Sequence, residues 1–157
     1  MRPDWPEYFM SIARVAATRA TCDRAHVGCV LAKGNQILAT GYNGSLPGAP
    51  HCDDVGHLMV DEHCLRTVHA EANTVAQAAR FGTAIDGATA FVTHYPCLHC
   101  IKLLAAAGVT TIIFDAPYHY VRPILPSALL DRVSITQLEP QKYTVKAEIF
   151  LSPLKYT

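Results

Sequence analysis

The sequence predicts an α/β chain: a three-layer α/β/α sandwich around a mixed, roughly five-stranded sheet. Three observations carry that expectation. Segments with apolar residues at helical spacing alternate with short β-type runs along the chain. The run Val109-Thr-Thr-Ile-Ile-Phe is continuous and rich in β-branched residues, the pattern of a strand covered on both faces. Half of the 157 residues are hydrophobic, yet no stretch approaches the ~18 consecutive apolar residues of a membrane span. A chain of this length fits one domain, residues 1–157, with no repeat or linker to divide it.

The elements follow in order. Asp4 precedes a segment in which Tyr8, Phe9, Ile12, Ala13, Val15 and Ala16 recur at helical spacing, so a helix over 5–19 with Asp4 as N-cap is expected. Two β-type runs, 27–32 and 36–41, flank Gly34-Asn35 and read as a hairpin. Residues 43–64, rich in Gly, Pro, Asp and His, read as a long ordered loop, and loops of that length are usually functional or metal-bound. Helix formers fill 66–80, with Gly82 as the C′ residue. A strand over 88–93, a helix from Leu98 to Ala107 stopped by Gly108, and a strand over 109–114 come next. A short helix over 122–132 and a last strand over 146–151 complete the expectation.

Thirteen basic residues balance thirteen acidic ones, which argues against a protein that holds long nucleic acid electrostatically. The opening MRPDWPEYFM carries charges and prolines where an export signal would be apolar. A cytoplasmic protein is therefore expected, in a host's cytoplasm if the source is a virus. Six cysteines and eight histidines are unusual in that setting, and point to metal or catalysis before disulfides.

The spacing sharpens this. His69 is followed 28 positions on by Cys97, and then by Cys100. Cys-x-x-Cys at a helix start lets both sulfurs face one point, and the partial positive charge there favours the thiolates that ligate metal. One imidazole and two thiolates leave the fourth position of a tetrahedral zinc open, as in catalytic sites. Glu71 stands two residues after His69. On an ideal helix the two would diverge by ~200°, so both can serve one pocket only if His69 lies at or near the cap. Glu71 could then move protons between a zinc-activated water and a substrate. A lone helical His is usually a packed surface residue and a lone Cys-x-x-Cys can be redox-active or structural, but a purely structural zinc has no use for Glu71.

His-x-Glu followed by Pro-Cys-x-x-Cys is the signature of zinc-dependent nucleobase deaminases. The chain resembles the deoxycytidylate (dCMP) deaminases of bacteria and viruses, within the cytidine deaminase superfamily. The resemblance is carried by Cys22-Asp-Arg-Ala-His-Val-Gly, Gly41-Tyr-Asn-Gly-Ser-Leu-Pro-Gly, His51-Cys-Asp-Asp, His63-Cys-Leu-Arg-Thr-Val-His-Ala-Glu-Ala-Asn and Thr93-His-Tyr-Pro-Cys-Leu-His-Cys, across residues 20–115. It implies that His69, Cys97 and Cys100 bind zinc and that Glu71 is the proton shuttle. The reaction implied is attack of activated water on C4 of cytosine with loss of ammonia, converting dCMP to dUMP for thymidylate synthesis. Asn43 would hydrogen-bond the sugar, since an amide both donates and accepts; the alternative is a turn-forming Asn beside Gly44. For the 5′-phosphate the candidates are Arg24 and His94, and Tyr120 could cover the base or reach the phosphate. Against these, Arg24 could pair with Asp23 and Tyr120 could simply pack.

Some phage relatives hold a second, structural zinc in the long loop. Here Cys22, Cys52 and Cys64 lie in or beside it with His51, His57 and His63. The spacing leaves open which histidine is the fourth ligand; His63 is one candidate, although its adjacency to Cys64 is geometrically awkward, and the alternative is a set of reduced cysteines in a packed loop. The resemblance also implies a homohexamer activated by dCTP and inhibited by dTTP, with Gly41, Tyr42, Asn43 and Gly44 in an effector site. Rival readings are a deaminase of another cytosine nucleotide or nucleoside, a deaminase of tRNA adenosine, and a non-catalytic zinc scaffold. The polynucleotide enzyme would need a basic surface, and the scaffold would keep its partners without Glu71.

Overall fold

The computed structural model describes residues 2–61, 63–117 and 125–139. Helix α1 (Trp5–Ala17) starts at Asp4, whose Oδ1 accepts the Glu7 backbone N–H at 2.9 Å. Pro6 occupies the first turn, where a missing N–H has no partner to lose. Phe9, Met10, Ala13 and Ala17 form its buried face. Strands β1 (Gly28–Lys33) and β2 (Gln36–Tyr42) make the expected antiparallel hairpin, with Gly34 at φ 57°. A Cβ on Gly28 would collide with the Ala13 carbonyl, so glycine is what lets α1 cross β1 so closely.

The stretch expected as one long loop is built from short pieces. They are β3 (Gly44–Ser45), α2 (Cys52–Val55), β4 (Met59–Val60), β5 (His63–Cys64) and β6 (Thr67–Val68). β3 pairs with β6 and β4 with β5, both antiparallel. Because Thr67 and Val68 are taken into that pairing, α3 runs Ala70–Arg80 and not from 66. Gly82 follows its C-cap at φ 65°, as expected. Then come β7 (Thr89–His94), α4 (Leu98–Ala106), β8 (Thr111–Ala116), α5 (Ser127–Leu130) and β9 (Ser134–Gln137).

Among the described residues the main sheet has five strands in the order β2-β1-β7-β8-β9; β7, β8 and β9 are mutually parallel, and β1 runs antiparallel to both of its neighbours, β2 and β7. Alternation along β1 defines the layers. Cys29 and Leu31 pack with Ala70, Ala78, Ile101 and Leu104 of α3 and α4, whereas Val30 and Ala32 pack with Phe9, Met10 and Ala13 of α1. The three-layer mixed α/β architecture is therefore as expected. Ile101 and Leu104 are fully buried, each contributing about 2 kcal/mol of apolar transfer.

Two expectations near the end of the chain need correction. Within 122–132 the described helix is only α5, residues 127–130, and the last strand among the described residues is β9. β9 has one partly buried apolar residue, Ile135, among Ser, Thr and Gln, too little alternation to read from sequence. The strand expected over 146–151 lies outside the described residues. Among the described residues no helix is long and apolar enough to cross a membrane.

Candidate active site

Two helix starts and one strand end converge. His69 is the N-cap of α3, at φ −64° and ψ 152°, and Cys97 is the N-cap of α4, at φ −69° and ψ 162°. Neither side chain caps its own helix, so both are turned to another purpose. His69 Nδ1 lies 3.6 Å from Cys97 Sγ and 3.5 Å from Cys100 Sγ, and the three donor atoms fall within 4.8 Å of one another. Nitrogen and sulfur on one tetrahedral zinc would be about 3.6 Å apart, from Zn–N and Zn–S lengths near 2.05 and 2.3 Å. Both nitrogen–sulfur separations match that ion. The Cys97 thiol is drawn down to about 3 by the Cys100 sulfur and, against its own burial, by His69.

The extended conformation of His69 resolves the spacing problem with Glu71. Outside the helix proper, His69 escapes the ~200° divergence, and both residues line one cleft. Glu71 is 3% exposed, and burial pushes its carboxyl above the ordinary range. Such a group holds a proton more readily than a surface carboxylate and can also release it.

The cleft, about 800 Å³ with its open mouth, also meets Asn43, Arg24, His94 and Tyr95. Asn43 is buried; its Oδ1 accepts from the Val27 N–H at 2.7 Å and its Nδ2 donates to the Ala25 carbonyl at 2.8 Å. One lone pair and one N–H remain on that amide for another partner. Arg24 is exposed at the mouth and its guanidinium touches Met59 Sδ at 3.2 Å. His94 Nδ1 is 3.0 Å from the hydroxyl of buried Thr93, which also accepts the Gly28 N–H. Tyr120 lies outside the described residues.

A second cluster stands beside the first. Cys22, Cys52, Cys64 and His57 bring their donor atoms within 4.8 Å of one another. Cys52 and Cys64 sulfurs are 3.5 Å apart, Cys22 Sγ is 3.6 Å from His57 Nδ1, and all six cysteines are free thiols. The fourth member is therefore His57, and His63 is left out. Neighbours in a strand point to opposite sides, so His63 and Cys64 of β5 do not share one centre. His63 lines the cleft instead. His57 Nε2 sits 3.1 Å from Asp23 Oδ1, which leaves Nδ1 for a metal. Burial opposes ionisation of Cys64, but backbone hydrogen bonds from Arg66 and Leu58 bring its thiol down to about 6. Sequence reasoning also missed Tyr95, whose place just before Pro96-Cys97 was the available signal.

The Gly41–Gly44 segment ends β2 and enters β3. A Cβ at Gly41 would collide with Thr74 Oγ1 and lie 2.8 Å from the Ala70 carbonyl oxygen, so the close packing of α3 alone demands glycine there. Cys29 is wholly buried beneath α3, the small apolar residue expected.

The profile of the cytidine and deoxycytidylate deaminase zinc-binding region matches residues 3–116, the stretch that holds every ligand and cleft residue above. The chain belongs to this deaminase family. ComE operon protein 2 of Bacillus subtilis is 44% identical over 117 residues, which cover 74% of this chain and 62% of that protein. The deoxycytidylate deaminase of a Mycobacterium phage is 38% identical over 125 residues, covering 72% of this chain and 95% of the relative. Among solved structures, dCMP deaminase of the cyanophage S-TIM5, in complex with dCMP and dUMP, superposes with a TM-score of 0.71 at 28% identity, covering 88% of this chain and 99% of that one. For a family member the metal is zinc, and the matched zinc-binding region and the cysteine and histidine donors agree on it.

Proposed function

We propose that this family member converts dCMP and water to dUMP and ammonia, a supply of dUMP for thymidylate synthesis. The observation that carries the reading is the buried Glu71 carboxyl in one cleft with His69 and Cys97, whose donor atoms cluster with that of Cys100. Those three would hold the zinc, which when bound acidifies water and so provides a nucleophile at neutral pH. Glu71 takes one proton from the attacking water and gives it to ring N3 as the C4–O bond forms, then carries the second proton from the new hydroxyl to the amino group, so that C4–N breaks and ammonia leaves as C4=O forms. The remaining valences of the Asn43 amide suit a sugar hydroxyl. Arg24 and His94, joined by His63, offer donors to a 5′-phosphate at the mouth. Support for the nucleotide comes from the relatives named as deoxycytidylate deaminases and from the dCMP and dUMP bound to the cyanophage enzyme.

The second cluster, Cys22, Cys52, His57 and Cys64, is read as a closed structural zinc site that orders the loop. Family resemblance supports a single-domain, cytoplasmic homo-oligomer, a hexamer, that responds to dCTP and dTTP. An ammonia-release assay with dCMP, dCTP, deoxycytidine and a tRNA stem-loop tests the substrate. Turnover of dCMP well above the others is expected; turnover of the stem-loop alone would overturn it.

A further inference from the structure

The side chain of Asn73 lies on α3 two residues past Glu71, outside the set that lines the cleft. Its Nδ2 donates to the Tyr42 carbonyl at 2.8 Å and reaches the Val68 carbonyl at 3.5 Å. Each of those carbonyls belongs to the residue just before a site residue, Asn43 in one case and His69 in the other. Its backbone N–H also donates to the His69 carbonyl at 2.9 Å. One amide thus ties the end of β2 and the end of β6 to the helix that carries Glu71. His69 has other anchors, since it caps α3 and its imidazole meets two sulfurs. Asn43 pairs through its backbone with Val27 and Thr21 and clasps Ala25 and Val27 with its side chain, so it moves with the segment around Arg24, and its hydrogen-bonded tie to α3 runs through its neighbour's carbonyl.

We propose that Asn73 is a positioning residue for substrate binding: it sets the Asn43 amide, and through it the segment around Arg24, against the catalytic helix. The proposal rests on the functional reading above, in which Asn43 meets the substrate. A displaced Asn43 weakens binding while Glu71 and the metal donors, fixed by α3 and α4, keep their geometry. The expected signature is a raised KM with kcat little changed.

The test is steady-state dUMP formation by zinc-loaded N73A, N73D and N73Q, with zinc content measured on each, and a cycle with N43A. N73A is expected to raise KM for dCMP about tenfold, the scale of one lost hydrogen bond, with kcat within about threefold and full zinc. N73D, whose carboxylate would face carbonyl oxygens, should be at least as poor, and N73Q, which keeps a donor, should recover part of the loss. In the N43A background N73A should cost less than about threefold further, because the two act as a unit. KM unchanged in N73A, or effects of N43A and N73A that simply multiply, would overturn the positioning role alone. If N73A does not fold, N73Q carries the same cycle. Absence of dCMP turnover in the unsubstituted enzyme would instead overturn the functional reading, and this one with it.

Discussion

Replacing Gly41 by Ala adds one carbon at the tightest helix–sheet contact beside the site. That carbon would collide with Thr74 Oγ1 and stand 2.8 Å from both the Ala70 carbonyl oxygen and the Thr74 backbone nitrogen, against 3.4 Å for ordinary contact. A hydroxyl can rotate away, but a helix backbone cannot, so α3 and β2 must part by about 0.6 Å. Overpacking of this kind costs about 2 kcal/mol, or roughly 6 °C in Tm for a chain this size. The displacement falls on the turn that carries His69 and Glu71, where productive geometry tolerates only about 0.5 Å. A fall in kcat/KM of about ten- to a hundredfold is expected. Calorimetry and the dCMP assay on G41A measure both. G41A/T74A should recover only part, because the carbonyl clash remains. A G41A enzyme with native Tm and native basal turnover would refute the packing argument. If such an enzyme had lost only a response to dCTP, the glycine would belong to an effector site.

Removing a donor from the loop cluster gives the next expectation: H57A should lower zinc from about two to about one per chain by atomic emission, whereas H63A should leave it at two. D23N, which takes away the carboxylate behind His57, should weaken the loop metal about tenfold in chelator competition without touching the catalytic zinc. At the start of α1, D4A loses the cap to the Glu7 N–H and should lower stability by about 1 kcal/mol, roughly 3 °C, with kcat unchanged. R24A should raise KM for dCMP more than for deoxycytidine, since only the nucleotide carries the phosphate.

Much of the site was legible because its chemistry is local in sequence. Cys97 and Cys100 share a helix face at three-residue spacing, and His69 and Glu71 share a cleft because the cap residue is extended. The Asp4 cap, the hairpin at Gly34 and the Gly82 stop were equally readable, since each is specified by one turn of chain. What failed depended on distant partners. Thr67 and Val68 left the helix because Gly44 and Ser45 offered a strand to pair with. β9 exists because β8 provides an edge, with little alternation of its own. The fourth member of the loop cluster, left open by the spacing, is His57 because the chain ahead of the β4–β5 hairpin brings it to Cys22.

The central claim is that Glu71 moves the proton for a deamination beside a zinc held by His69, Cys97 and Cys100. The most direct measurement is dUMP formation from dCMP by zinc-loaded E71Q, with metal content determined on the same sample. The account predicts undiminished zinc and a kcat lower by about a thousandfold. Turnover within about tenfold of the unsubstituted enzyme at full zinc occupancy would contradict it.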